Sequence, residues 1–327
     1  MKLLFFILGA ALLGLVVSQT DVPHALSLLS EIGWGFIAIF ALYFLGFLID
    51  AFAWQIATPG VPLDLKWLYR FYQVRLAGEA FNTVTPTASM GGEAVKAIML
   101  KSLYGIGYRD GTASLILAKT LIVVALVAFL SVGFALMLDS SKLDETYKFV
   151  SGAGLAAFGL GAVLFVLIQR FKVTTSTGYW LGRSRLFARL NTLLKPLHEV
   201  EDRLIHFYTR QPNRLMSVFL LSFLNWVIGI FEIWLIMDFI GHPITLSDAW
   251  IIESVAQLVR SATFFIPASI GAQEGAFLIV GAAITGQPSF GLTVALARRI
   301  REIVWAIWGL AVFYLLKPPM NDVPPEA

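Results

Sequence analysis

Long apolar stretches constrain this chain more than any other feature. A helix needs about 20 predominantly apolar residues to cross a bilayer, and six stretches approach or exceed that length: 3–17, 34–57, 111–138, 149–168, 215–240 and 290–316. The chain is 58% hydrophobic and only 14% charged, whereas a soluble domain is about 25% charged. This composition excludes a disordered chain, a coiled coil and a nucleic-acid-binding module. It predicts an all-α polytopic membrane protein with six spanning helices.

The distribution of positive charge predicts the orientation of these spans. Most of the 24 Lys and Arg residues lie at the amino terminus, around 66–75 and 96–109, across 170–214 and at Lys317. The loops 20–33, 139–148 and 241–249 carry mainly acidic or neutral residues. Because cytoplasmic loops are enriched in Lys and Arg, both termini are expected in the cytoplasm. We expect a bacterial inner (cytoplasmic) membrane protein.

The polar segments add detail to a single membrane domain, 1–317. The stretch 3–17 has two interpretations, a cleaved signal peptide or a retained first helix, and retention is the preferred one. The segment 170–214 alternates basic and leucine-rich positions, as in Arg183, Arg185, Arg189, Lys195 and Arg203. It predicts an amphipathic helix on the inner leaflet, and an ordinary basic connector is the alternative. The tail 318–327 carries Pro-Pro twice and is expected to be disordered.

Two further apolar segments are interrupted near their middles by similar motifs. One reads Pro-Thr-Ala-Ser-Met-Gly-Gly-Glu from Pro86 to Glu93, and the other reads Pro-Ala-Ser-Ile-Gly-Ala-Gln-Glu from Pro267 to Glu274. The two prolines lie 181 positions apart, and Glu follows each by seven positions. Each motif occupies the same slot of a helix–hairpin–helix unit, so the sequence predicts repeats over about 34–138 and 215–316. The charge distribution gives these repeats opposite orientations.

The interruptions themselves indicate two re-entrant helical hairpins. Proline removes an amide donor and breaks a helix, and adjacent glycines permit a sharp turn. Irregular backbone at membrane depth survives only inside protein or beside a water-filled cavity. The returning arms are expected to begin near Gly91 and Ser269, with their positive helix ends directed at a shared pocket. Broken helices at corresponding positions of inverted repeats mark the binding site of many transporters.

Charged and polar residues within these membrane segments are the candidate site residues. A lone charge at the bilayer centre is costly, so such residues face a cavity or pair with one another. Glu93 and Lys96 share one helix face, as do Glu253, Gln257 and Arg260. The full set of candidates for substrate binding is Arg75, Asn82, Glu93, Lys96, Gln257, Arg260, Gln273, Glu274, Arg298 and Arg301.

Two interpretations of these charges stay open. In the first, Arg75, Arg260 and an arginine of 298–301 surround a phosphate, because a guanidinium matches phosphate oxygens. Glu93 and Glu274 would then couple protons or orient arginines. In the second, Arg–Glu pairs neutralise one another and only hold the hairpins in place.

Other polar residues have more ordinary explanations. Asp50, Glu232 and Asp238 are expected to cap helices at the membrane interface, and Lys119 is expected to extend to the cytoplasmic edge. The sequence contains no P-loop, no Gly-x-Ser-x-Gly motif and no metal-ligand spacing, and it has no cysteine. We therefore expect no catalytic residue, no metal and no cofactor.

The hairpin residues resemble those of a known family. The run from Asn82 through Gly91-Gly92-Glu93 resembles the first hairpin of the flippase-like family, which shares its fold with the membrane part of lysylphosphatidylglycerol synthases. The run from Gln257 to Gly275, followed by Arg298-Arg299-Ile-Arg301-Glu302, is similar to a subset associated with hopanoid biosynthesis. Thr85 and Lys96 depart from the family pattern of Leu and Arg. No segment of this sequence matches the soluble aminoacyl-transferase domain, so lysyl transfer is not expected.

The resemblance implies movement of a lipid or lipid-linked substrate across the membrane. The expected partner is a membrane lipid whose anionic or polar headgroup binds between the two hairpins, with no nucleic acid involved. Two alternatives remain. One is a membrane-embedded enzyme acting on a lipid phosphate, and the other is a non-catalytic scaffold that binds lipid-biosynthesis enzymes, with 170–214 as its docking surface.

Overall fold

The computed structural model describes residues 11–14, 18, 20–84, 91–171 and 190–316, and it contains no strand among them. Its helices are α1 Val22–Glu31, α2 Gly35–Ile56, α3 Leu65–Val84, α4 Gly91–Tyr104, α5 Tyr108–Asp139, α6 Glu145–Arg170, α7 Leu190–Arg210, α8 Pro212–Phe239, α9 Leu246–Ala262, α10 Ala272–Thr285 and α11 Pro288–Leu316. A 3₁₀ turn at Pro267–Ser269 separates α9 from α10. The prediction of an all-helical chain is confirmed for this part.

Four of these helices are long and apolar enough to cross a membrane: α2, α5, α6 and α8. They match the predicted spans 34–57, 111–138, 149–168 and 215–240 within a few residues at each end. Helix α6 is the most peripheral of the four, because only 6% of its most apolar window is buried inside the protein. Its exposed side chains include Phe149, Leu160 and Phe165, as expected for a surface that faces lipid.

The other two predicted spans have different outcomes. The span 290–316 forms the single helix α11 of 29 residues, but four charged residues at 298–302 interrupt its apolar character. Most of the span 3–17 lies outside the described residues. So do the first hairpin tip at 85–90, the basic residues Arg183, Arg185 and Arg189, and the tail 318–327.

Each predicted hairpin contains two helical arms, α3 and α4 in the first and α9 and α10 in the second. In the first, Asn82 Oδ1 accepts a hydrogen bond from Gly92 N at 2.8 Å, and Tyr104 donates to Gln73 at 3.4 Å, so α3 and α4 are antiparallel. A side chain at Gly92 would overlap the Gly78 carbonyl. The arms α4 and α10 have 14 residues each, or about 21 Å, which is shorter than the ~30 Å hydrocarbon core.

Positive φ angles interrupt the helical backbone between α9 and α10. Ala268 and Ser269 have φ of 50° and 49°, and Gly271 has φ of 82°. Glu274 accepts a hydrogen bond from Gly271 N at 2.7 Å and so caps the start of α10. Helix α10 begins at Ala272, three residues later than the expected start at Ser269. Gly91 begins α4 as expected.

The apolar residues form two main cores at opposite ends of the long helices. One surrounds the first hairpin and includes Phe71 and Met99, and the other surrounds the second hairpin and includes Ile252 and Phe277. Helix α11 passes from the second core at 290–297 to the first core at Trp305, and its charged residues lie between the two. Helix α5 passes between the same cores in the opposite order. The charges therefore form a layer between two apolar regions.

The helices of the two chain halves recur at a nearly constant spacing. The starts of α3 and α9 lie 181 positions apart, as do those of α4 and α10, and the starts of α5 and α11 lie 180 apart. The first helices of the halves, α2 and α8, pack together, with Gly35 against Phe239 and Gly46 against Asn225. These two helices are therefore antiparallel.

Helix α7 packs on one end of the bundle. Val200, Leu204 and Phe207 are buried in the first core, and α7 contacts α5, α6 and α8. Arg203 pairs with Asp110 at 2.7 Å. The carboxyl-terminal part of the predicted amphipathic segment is thus a helix whose apolar face covers protein.

Candidate functional site

Three adjoining cavities lie within the charged layer. The largest has a volume of about 240 Å³, the second about 180 Å³ and the third about 40 Å³. Arg75 and Asn225 line the first two, whereas Arg260 and Tyr43 line the first and the third. Glu79 lines all three. We call these three adjoining cavities together the central cavity, and residues from both halves of the chain form their walls.

Arg75 projects from α3 and is held on two sides. It donates to the carboxylate of Asp50 on α2, and its guanidinium lies 4.1 Å from the centre of the Phe47 ring. The ring and the carboxylate fix the direction of the side chain. The Nη1 atom of Arg75 is buried and has no hydrogen-bond partner among the described residues.

Helix α11 contributes two buried arginines from the second half. Arg298 pairs with Glu253 at 2.6 Å and with Glu232 at 3.2 Å, and Arg301 also donates to Glu232. The Arg301 guanidinium lies 3.8 Å from the centre of the Tyr43 ring. Both arginine side chains are 6–7% exposed. A buried ion pair of this kind needs a complete set of hydrogen bonds.

That set is incomplete among the described residues. The Nε atoms of Arg298 and Arg301 join Arg75 Nη1 as buried donors without an acceptor among the described residues. Burying an unpaired donor costs free energy, and native proteins satisfy nearly all such groups. Three arginines that line one cavity with unsatisfied donors are suited to an anionic or polar ligand.

A second cluster lies at the start of α4 in the first half. The Lys96 ammonium lies 2.9 Å from Glu93 Oε1, and the Lys119 ammonium from α5 lies 3.2 Å from the same oxygen. Asn82 donates to Glu79 and to Glu93 at 3.3 and 3.4 Å. These contacts place Glu93 as the carboxylate that holds two lysines beside the cavity.

The corresponding cluster of the second half involves Glu274. It accepts from Arg299, which also donates to Glu302 at 2.8 Å and to the Ala268 carbonyl at 3.0 Å. Arg299 therefore ties the second hairpin turn to α11. Gln273 and Glu274 are each 4% exposed, and neither lines the central cavity.

The structure brings most of the predicted site residues together. Arg75, Gln257, Arg260, Arg298 and Arg301 line the largest part of the cavity, Glu93 and Lys96 line the second part, and Asn82 lines the third. Gln257 donates to Glu253 at 2.8 Å, which agrees with their predicted position on one helix face.

Three residues of the site were assigned other roles in the sequence. Asp50 and Glu232 were expected to cap helices at the membrane interface, but they are buried partners of Arg75, Arg298 and Arg301. Lys119 was expected to extend to the membrane edge, but its ammonium contacts Glu93. The internal repeat could have identified the two acids as equivalent site residues, because Asp50 and Glu232 lie 182 positions apart on corresponding helices.

No metal centre is indicated by the described residues, since no group of three or more His, Cys, Asp or Glu side chains is arranged to hold an ion.

Comparisons with known proteins agree with the membrane assignment. A family model described as the lysylphosphatidylglycerol synthase TM region matches residues 2–309. A UPF0104 membrane protein of Methanothermobacter thermautotrophicus is 24% identical over 271 residues, covering 79% of this chain and 78% of its own length. A UPF0104 membrane protein of Pyrococcus horikoshii is 24% identical over 307 residues, covering 86% and 88%. No solved structure matches the chain.

Proposed function

Because the chain belongs to the family of the lysylphosphatidylglycerol synthase TM region, an integral membrane family, we propose that it is a lipid translocase. A polar or phosphate-containing headgroup binds in the central cavity between the two hairpins, and the lipid tails remain in the bilayer. The lipid is a phospholipid or a polyprenyl- or hopanoid-type lipid of the bacterial inner membrane. The protein moves this lipid without chemical change, and both termini lie in the cytoplasm.

One observation carries this proposal: arginines from both halves that hold unsatisfied donors line one cavity. Arg75 comes from α3, and Arg298 and Arg301 come from α11. A guanidinium is suited to phosphate oxygens because its donors form a planar fork. The cavity volume of about 240 Å³ is several times the ~30 Å³ of a water molecule, so a small headgroup fits.

The architecture supports alternating access to this site. The two halves have the same helix order at a spacing of about 181 residues, and their first helices pack antiparallel. We infer that the halves are inverted repeats, with α3–α4 and α9–α10 as re-entrant hairpins from opposite leaflets. Rocking of one half against the other then exposes the same site to either side.

The test is lipid movement in vesicles that contain the purified full-length protein. Phospholipids with a fluorescent acyl chain are placed in both leaflets, and a membrane-impermeant quencher reports those that reach the outer leaflet. Arg260→Ala removes a cavity guanidinium, and Glu274→Gln weakens the anchor of the second hairpin. Both variants are expected to slow lipid movement. Arg170→Ala, at the exposed end of α6, is the matched control and is expected to have no effect.

Two results would overturn the proposal. Unchanged lipid movement in both variants, with normal folding, rejects the site. Release of a chemically altered lipid by the protein in detergent, where transport has no meaning, favours a membrane-embedded enzyme instead. A scaffold role predicts a third pattern, in which only charge neutralisation in 170–214 abolishes activity in the cell.

A further inference from the structure

Glu79 and Arg260 occupy equivalent positions in the two halves but carry opposite charges. They lie 181 positions apart, which is the spacing between the starts of α3 and α9 and also between Glu93 and Glu274. Glu79 is on the first arm of one hairpin and Arg260 is on the first arm of the other. Both residues line the largest and the smallest parts of the central cavity. At this one repeated position the first half therefore contributes a carboxylate to the cavity and the second half a guanidinium.

Each of these two residues has weaker contacts than the other charges of the site. Glu79 accepts from Asn82 at 3.3 Å, and no Lys or Arg nitrogen among the described residues lies within 4.0 Å of it. Arg75, Lys96 and Lys119 act on Glu79 only from a greater distance, and each has another carboxylate partner. Arg260 contacts Glu302 at 3.4 Å, and its side chain is 41% exposed.

Apart from Glu79 and Arg260, the charged residues of this layer neutralise one another in close ion pairs. Within the part of the chain that the structure describes, the layer around the cavity contains seven cations and seven anions. The cations are Arg75, Lys96, Lys119, Arg260, Arg298, Arg299 and Arg301, and the anions are Asp50, Glu79, Glu93, Glu232, Glu253, Glu274 and Glu302. A ligand with a net negative charge would disturb this balance in a region of low dielectric, where net charge is costly. A ligand with one positive and one negative group preserves it.

We propose that the central cavity selects a zwitterionic phospholipid headgroup of the ethanolamine type. The ammonium binds the Glu79 carboxylate. It supplies the close cation partner that this carboxylate lacks among the described residues. The phosphate binds Arg260, and the guanidinium groups of Arg75 and Arg301 line the same part of the cavity. In such a headgroup a two-carbon link joins the ammonium to the phosphate, and Glu79 and Arg260, which line the same parts of the cavity, present the complementary pair of charges. This inference rests on the proposed function, because it names the headgroup for the same site.

The experiment compares acyl-labelled phosphatidylethanolamine with acyl-labelled phosphatidylglycerol in the same vesicles. The label must be on the acyl chain, because labelling the amine would remove its charge. We expect the wild-type protein to move phosphatidylethanolamine at least about tenfold faster than phosphatidylglycerol. One charged hydrogen bond of ordinary strength is enough to produce a preference of this size. Glu79→Gln should lower this preference about tenfold by slowing phosphatidylethanolamine alone. Arg260→Gln should slow both lipids.

Binding is measured separately, by calorimetric titration of the detergent-solubilised protein with lysophosphatidylethanolamine and lysophosphatidylglycerol. Glu145→Gln is the matched control, because its side chain is 90% exposed on α6. Preferred movement or binding of the glycerol lipid, or an unchanged preference in a folded Glu79→Gln variant, overturns the inference. If neither lipid moves but the ethanolamine lipid binds in a Glu79-dependent way, transport fails and the headgroup assignment stands.

Discussion

The two halves of the chain place charges at corresponding positions but stabilise them with different side chains. In the first half, Lys96 and Lys119 share one oxygen of Glu93. In the second half, Arg299 contacts Glu274, Glu302 and the Ala268 carbonyl at once. Lys119 and Arg299 lie 180 positions apart, so a lysine and an arginine have the same place in the two repeats.

This difference has a mechanical meaning. A lysine ammonium is a compact charge on a flexible stem, whereas the arginine fork fixes several acceptors in one geometry. The arginine network of the second half joins the hairpin turn to α11, and the lysine cluster of the first half can exchange partners at lower cost. We therefore expect the second half to be the fixed frame and the first half to be the part that rearranges.

The largest expected effect comes from removing a buried arginine of the second half. Arg298→Ala leaves Glu253, which is 2% exposed, without its close cation. Removing one partner of a buried pair costs about 3–5 kcal/mol. Arg75→Ala in the first half should cost less, because Asp50 is 10% exposed. Both losses of stability are measured as changes in the free energy of unfolding in detergent.

The control for this comparison is Arg203→Ala, because its ion pair with Asp110 is exposed on both sides, at 40% and 54%. Exposed pairs contribute about 0–1 kcal/mol, so this variant should unfold like the wild type. Equal losses for Arg298→Ala and Arg75→Ala would contradict the idea that the second half is the more strongly fixed.

Close backbone contacts should give a smaller loss that is the same in both halves. An added methyl group at Gly92 would overlap the Gly78 carbonyl, and one at Gly291 would overlap the Phe277 carbonyl. Such overpacking costs about 2–3 kcal/mol, so Gly92→Ala and Gly291→Ala should lower the unfolding temperature equally. Gly161 on α6 has no atom within 4 Å of an added methyl, and Gly161→Ala should be neutral or slightly stabilising. A loss confined to one of the two variants would show that only one of these helix contacts, α3 with α4 or α10 with α11, is tightly packed.

The sequence alone predicts the elements whose signal is local. The four apolar spans are found within a few residues, since hydrophobic length is a property of a short window. The predicted starts of α5 and α6 fall three and four residues inside the helices, and the predicted ends one and two residues inside, because polar residues continue each helix past the apolar stretch. The interruption at 267–271 is also found, because Pro and Gly act on their own backbone.

The ion pairs depend on how separate helices pack against one another, so a local sequence pattern does not predict them. Glu232 lies near a tryptophan, which favours an interfacial position, yet helix packing brings it to Arg298 and Arg301. Asp50 was likewise expected at the membrane interface, and helix packing brings it to Arg75. The internal repeat is the one signal that reaches beyond a local window, because it relates Asp50 to Glu232 and Glu79 to Arg260.

The carboxylates of the returning arms should differ in their tolerance to neutralisation. Glu93→Gln leaves Lys96, which is 5% exposed, and Lys119 without a carboxylate within 4.0 Å among the described residues. Glu274→Gln retains an oxygen that can accept from Gly271 N, and Arg299 keeps Glu302. We expect Glu93→Gln to lose about 1.5 kcal/mol more than Glu274→Gln, as measured by thermal unfolding in detergent. The reverse order would mean that the first cluster is not held by its carboxylate.

The smallest expected effect on stability is the one most informative about function. Arg260 is the most exposed arginine of the charge layer, and its only ion pair with another described residue is 3.4 Å long. Arg260→Lys should therefore change the free energy of unfolding by less than about 0.5 kcal/mol. It keeps the charge but loses the fork that matches phosphate oxygens. We therefore expect lipid movement to fall several-fold at normal stability, with Arg170→Lys on α6 unaffected. If lipid movement is also normal, the cavity needs only a positive charge at this position, and the arginine fork is not what recognises the headgroup.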